Sequence, residues 1–230
     1  GRWGSLTGQT VVRAPAGPAP TIGAVELWLI RHALPNRERR EEGSADPGLA
    51  PEGLEQAGRL ASWWAPFGAD LLVTSPMRRA RETARPLADA LSLEPVVVDD
   101  LAEFDAHLPT YIPIEELRDD PEAMRLAIAE WSSPEAEVTR QAFRDRVVAA
   151  IDGIATGAEG AASAERIAIV CHGGVINAYL TGVLGLPGTL FFEPIYTGVS
   201  RVIWRKGHRQ FVSANEAPHL GAPRRPALSL

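Results

Sequence analysis

Short apolar runs alternate with longer helical repeats through most of the chain, the layout of an α/β domain built on a largely parallel sheet. Four runs read as buried strands, at residues 25–30, 70–74, 96–98 and 166–171. Between the first two, Pro51 opens a segment in which Leu54, Ala57, Leu60, Ala61 and Trp64 fall at helical spacing, predicting a covering helix over 51–64. Ser75 as N-cap and Pro76 at the first helical position predict a second helix running to about residue 91. Gly173 and Gly174 introduce a third, which stops near Gly185, Leu186 and Pro187.

Residues 99–157 hold no convincing strand but several helical patterns, including 121–131 and 134–154, and read as a helical insertion over one side of the sheet. Apolar runs at 199–204 and 210–213 flank Arg205, Lys206, Gly207, His208 and Arg209, which suits an antiparallel hairpin. Pro15, Gly17, Pro18 and Pro20 make 1–23 a flexible or extended lead-in, and three prolines without periodicity make 217–230 a loose tail. The expected architecture is a three-layer α/β/α sandwich with a mostly parallel central sheet, a helical insertion and a C-terminal hairpin, as one domain over 24–216.

Charge narrows the choice of partners. The 230 residues carry 29 acidic and 23 basic groups, a net charge of −6, so bulk attraction to nucleic acid or an anionic membrane is not expected. The longest apolar stretch, 167–186, is broken by His172, Asn177 and several glycines, and predicts no membrane span. A single cysteine, Cys171, excludes an internal disulfide and any zinc site needing two thiolates, and suits a reducing, cytoplasmic setting. No helix carries a His-x3-His or carboxylate pattern for a metal, and no cofactor is implied. A homodimer is left open.

In open α/β sheets ligands bind at the carboxyl ends of the strands. Three such ends are rich in chemistry: Arg31-His32, then Thr74 to Arg79, then His172-Gly173-Gly174. Arg78, Arg79 and Arg81 lie in the first turns of a predicted helix, where the macrodipole disfavours cations. Glu82 can pair with Arg78 at i,i+4, whereas Arg79 has no comparable local partner. Arg79 and Arg31 together make a two-pronged phosphate site, to which the helix-start amides at Gly173 and Gly174 would add donors. With two histidines beside it, phosphoryl chemistry is the natural hypothesis: a neutral imidazole attacks phosphorus, and nearby positive charge lowers its pKa. Cys171 lacks the arginine six residues on that a cysteine phosphatase needs, the residue there being Asn177, and packs as a small hydrophobe. His107, His208 and His219 read as surface residues, although His107 and Tyr111 could line a substrate pocket, and Trp63, Trp64 and Trp131 read as packing residues.

These segments resemble the histidine phosphatase superfamily, also called phosphoglycerate mutase-like, over residues 25–213. Leu29-Ile30-Arg31-His32-Ala33 is similar to its Arg-His-Gly signature, Leu49 to Ala57 to its Leu-Thr-x-x-Gly-x-x-Gln-Ala segment, Thr74 to Ala84 to its Ser-Pro-Leu-x-Arg-Ala-x-x-Thr-Ala segment, and Val170 to Gly174 to its late histidine motif. The resemblance implies that His32 is a nucleophile forming phosphohistidine, that Arg31, Arg79 and His172 form the phosphate pocket with Gly173 and Asn36, and that Glu103 is the proton donor, with Asp105 as the alternative. It implies a small phosphorylated substrate and hydrolysis, with a phosphoglycerate-type mutase or a non-catalytic phosphate-binding regulatory module as alternatives. The chain departs from the pattern at Ala33, which stands where glycine is usual, in the shortened segment through Asn36, and at Phe104 to His107, which lacks the glycine-rich sequel. Glu103 to Leu108 also lacks the basic and aromatic segment of known mutases, which favours hydrolysis. The acidic insertion, with Glu103, Asp105, Glu115, Glu116, Asp119, Asp120 and Glu122, points to a singly phosphorylated substrate.

Overall fold

The computed structural model describes residues 23–113, 122, 125, 134–157 and 164–221. The lead-in over 1–22, most of the helical pattern at 121–131 and the tail beyond 221 lie outside the described residues, as do Glu115, Glu116, Asp119, Asp120 and Trp131.

Six strands form one sheet: β1 (Val25–Arg31), β3 (Leu71–Thr74), β4 (Val96–Val97), β6 (Arg166–Cys171), β7 (Val199–Arg205) and β8 (His208–Glu216), in the order β4-β3-β6-β1-β7-β8. The first four in that order run parallel, while β7 is antiparallel to β1 and β8 to β7. Side chains alternate across β1. Leu27 and Leu29 enter one core beneath α3 (Pro134–Ala155) and α4 (Gly173–Leu184), and Trp28 and Ile30 enter the other beneath α1 (Pro51–Trp64) and α2 (Arg78–Leu91). The result is the expected three-layer sandwich, with Phe143, Val147, Ile151 and Ile154 of α3 covering one face. Among the described residues, no helix is long and apolar enough to cross a membrane.

Several elements differ from the sequence expectation. Leu54 of α1 is 56% exposed, because the buried stripe begins instead at Gly53. The loop after β1 crosses α1 there so closely that a Cβ on Gly53 would lie 2.0 Å from the Leu34 carbonyl oxygen. Helix α2 starts at Arg78, not at Pro76: Met77 is its N-cap, and Ser75 is drawn towards a histidine described below. Within the insertion, β5 (Thr110–Tyr111) pairs antiparallel with β2 (Glu38–Arg39), two residues each, too short for any alternation to register. The hairpin is tighter than expected, turning through Lys206 and Gly207 alone, both at positive φ (49° and 81°), as a two-residue primed turn requires. Residues 218–220 are not loose: they form a 3-10 turn that lies against α1, with His219 and Trp63 ring centroids 5.5 Å apart.

Candidate active site

Because β1, β3 and β6 are parallel neighbours, their carboxyl ends open side by side. Backbone bonds then stitch the exits together. His32 N–H donates to Cys171 O (2.9 Å), Ser75 N–H to Val170 O (3.0 Å), Arg31 N–H to Gly198 O (3.1 Å) and Thr197 N–H to Arg31 O (3.0 Å). This brings the rings of His32 and His172 to 5.1 Å between centroids.

The hydrogen bonds of His32 assign its tautomer. Nδ1 lies 2.8 Å from the Ala33 carbonyl and donates to it, so Nε2 carries the lone pair, and Nε2 accepts from Arg79 Nε at 3.2 Å. Burial holds this imidazole well below the ordinary histidine pKa, and the charges of Arg79 and Arg31 push it further down. His172 is depressed in the same way, by burial first and then by Arg79, His32 and Arg31. Its Nε2 is 2.7 Å from Ser75 Oγ, which also accepts from Met77 N–H at 3.3 Å just ahead of α2.

Arg79, 1% exposed, projects from the first turn of α2 beneath the Tyr111 ring (4.5 Å) and reaches Asp105 with Nη2 at 3.4 Å. Among the described residues, its Nη1 and the His172 Nδ1 are buried without a hydrogen-bond partner. A buried guanidinium N–H left in that state is costly unless an anion completes it. Arg31 donates through Nη1 to Pro194 O (2.5 Å) and lies 4.0 Å from the centre of the Tyr196 ring. Arg78 behaves as the sequence indicated, bonding Glu82 at 2.7 Å on the surface.

Glu103 is buried against the start of α4. Its oxygens accept from Phe104 N–H (3.0 Å) and Gly174 N–H (2.8 Å). Burial and the Asp105 charge push its pKa up to about 7, although the two N–H donors and Arg79 oppose the shift. Gly174 is required sterically, since a Cβ would fall 2.3 Å from Glu103 Oε1. From α3, Arg146 donates to the carbonyls of Asp100 (2.6 Å) and Ala102 (2.9 Å) and fixes the loop that carries this carboxyl.

His32, Arg31, Arg79, His172 and Glu103 are thus brought together, with Gly173 beside Arg31: a Cβ on it would lie 3.7 Å from Arg31 Nε. The Gly174 amide, expected as a phosphate donor, bonds Glu103 instead. Asn36 is exposed, and its amide donates to Leu49 O (3.0 Å) and Gly48 O (3.4 Å), bracing its own loop and not joining the pocket. Ala33 keeps negative φ and is fully buried with Leu49 and Ala57, its N–H bonded to Thr83 Oγ1 (2.9 Å), so the missing glycine costs no strain. Cys171 packs as a fully buried hydrophobe, with its thiol pKa raised by burial. Sequence reasoning missed Ser75, Thr83, Arg146, Tyr196 and Thr197, of which only Ser75 and Thr83 lay inside a recognisable motif. His107 is exposed, whereas Tyr111 does reach the site through Arg79. Among the described residues, no group of three or more His, Cys, Asp or Glu side chains could hold a metal ion.

The family model described as histidine phosphatase superfamily (branch 1) matches residues 27–217. A probable phosphoglycerate mutase of Shigella boydii is 27% identical over 212 residues, covering 86% of this chain and 96% of its own. Among solved structures, a phosphoserine phosphatase of Entamoeba histolytica in complex with phosphoserine superposes with a TM-score of 0.65 at 24% identity, covering 85% of this chain and 99% of that one. A mycobacterial glucosyl-3-phosphoglycerate phosphatase bound to inorganic phosphate gives a TM-score of 0.65 at 21% identity, covering 85% and 99%. At these identities the two structures establish a shared fold.

Proposed function

Because the chain belongs to the histidine phosphatase superfamily, we propose that it is a phosphomonoester hydrolase acting through a phosphohistidine on His32. The observation that carries this reading is the His32 Nε2 lone pair, which accepts from the buried Arg79 guanidinium and is accompanied by a carboxyl whose pKa is about 7. Arg31, Arg79 and neutral His172 bind the phosphoryl oxygens, and their charge takes the place a metal would otherwise fill. As Arg79 Nε–H turns from His32 Nε2 to a phosphoryl oxygen, the freed lone pair attacks phosphorus, the ester P–O bond breaks, and Glu103 gives its proton to the leaving oxygen. Water then attacks the phosphohistidine, Glu103 accepts a proton from it, and the P–N bond pair returns to Nε2. A carboxyl titrating near neutrality serves both steps.

Hydrolysis is preferred over mutase transfer because of Asp105. A mutase must hold a second phosphoryl group on its substrate, whereas here a carboxylate sits on the Arg79 guanidinium. The substrate is therefore a small molecule bearing one phosphate.

Phosphate release from an aryl phosphate in the presence of EDTA tests this. Native protein should turn over, and His32→Ala should lose at least about a hundredfold. A native chain that accumulates a labelled phosphohistidine but passes the label to a second hydroxyl of the substrate, not to water, would be a mutase. No label on His32 would leave a binding module.

A further inference from the structure

We propose that His219, in the 3-10 turn after the last strand, is a positioning residue for the Arg31 guanidinium. The inference rests on Arg31 being a phosphate ligand. The connection runs through Thr197, a fully buried residue at φ +56°, a conformation β-branched residues adopt only when their surroundings hold them there. Its N–H is shared between Arg31 O (3.0 Å) and His32 O (3.4 Å), so it lies directly behind the nucleophile.

The hydroxyl of Thr197 has one proton. It donates to Tyr196 O at 2.7 Å, and His219 Nε2 stands 2.8 Å from the same oxygen. His219 Nε2–H is therefore the donor, and the two bonds form a relay from the 3-10 turn into the Tyr196–Thr197 peptide. What that peptide positions is Arg31: the Tyr196 ring faces the guanidinium at 4.0 Å, and Pro194 O, two residues earlier, accepts from its Nη1. The same turn closes on itself through Gly198 N–H to Ile195 O (2.9 Å). His219 is held at the other end by the Trp63 ring of α1, 30° from parallel. Burial lowers its pKa to about 4, so near neutral pH the imidazole keeps the single N–H that the relay uses.

Among the described residues its Nδ1 is buried without a hydrogen-bond partner, so the polar contact of the ring is made through Nε2. Removing the donor frees the turn to shift, and with it both groups that fix the Arg31 fork, which weakens phosphate binding more than it slows chemistry.

Binding of inorganic phosphate by calorimetry tests this on the full chain, using His219→Leu, which keeps apolar contact with Trp63, and His219→Gln, which can still donate. The leucine variant should bind phosphate about three- to tenfold more weakly, the range of one hydrogen bond, and the glutamine variant should recover most of it. For an aryl phosphate, KM should rise by a similar factor, with kcat changed by less than about twofold. Thr197→Ala breaks the relay from its other end and must reproduce the loss if His219→Leu fails to fold. Unchanged phosphate affinity in a folded leucine or Thr197 variant would overturn the proposal, as would an equal loss in the glutamine variant. A native chain that binds phosphate without releasing it from esters would sink the hydrolase reading alone, since the affinity comparison still reports on Arg31.

Discussion

A histidine in water is half charged near pH 6.5, and a nucleophile that spends time protonated is idle. His32, the proposed nucleophile, is buried beside two guanidinium groups, and burial first and then their charge hold its pKa well below the ordinary histidine value. Glu103 is tuned in the opposite direction, up to about 7, and sets the pH dependence. The proposed ester cleavage needs it protonated, so kcat/KM for an alkyl phosphate should fall by about tenfold per pH unit above 7. The fall should be much shallower for an aryl phosphate, whose leaving oxygen needs little protonation, and equal slopes for the two substrates would remove Glu103 from the role. Glu103→Gln should lower kcat for the alkyl substrate by about 10²- to 10⁴-fold. His32 was legible from its strand-end position, together with the lowering of its pKa by nearby positive charge, and Glu103 only through the family resemblance. The upward shift of Glu103 was not legible, because it depends on burial and on Asp105, which only the fold places.

Elements matter here as mounts. Helix α4 begins against the Glu103 carboxyl, and any Cβ at Gly174 would push that carboxyl from its present place. Gly174→Ala should retain the fold by circular dichroism yet lose about a hundredfold in activity, the scale of an ångström-sized displacement of a reacting group. Helix α2 acts through Thr83, whose hydroxyl accepts from Ala33 N–H and donates to Arg79 O (2.7 Å). Thr83→Val keeps the shape but strands a buried amide, and should cost about 1–3 kcal/mol in denaturant unfolding. The long helices were readable from helical spacing and cap residues, and β1, β3 and β6 from compact apolar runs; β4, read as a buried run, is two residues long with Val97 48% exposed. The two-residue strands β2 and β5 and the 3-10 turn at 218–220 were not readable. They have no period, and their conformations follow from what they touch: Tyr111 over Arg79, His219 against Trp63.

Across the whole molecule, the floor of the sheet opposite the site is tied by Glu26 of β1, which bonds Arg166 of β6 and Arg201 of β7. Burial alone would raise its pKa, but the two arginines hold it below the usual 4.5. A carboxylate with a depressed folded pKa stabilises above its unfolded value and loses that contribution as pH falls through the folded one. Glu26→Gln should therefore lower the melting temperature at pH 7, and the difference from the native chain should shrink as the pH falls past 4.5 and vanish below the lowered folded pKa. A difference independent of pH would assign the effect to packing. This tie could not be foreseen, because the partners of Glu26 lie far along the chain and meet it only through the strand order. The same order has a consequence for synthesis. Arg31 is clasped by a carbonyl 163 residues later, and His32 by β6 and by Thr197. As the polypeptide leaves the ribosome, the proposed nucleophile emerges early but lacks these contacts until the residues through 198 have been translated. On the proposed mechanism a chain terminated before them should therefore be inactive.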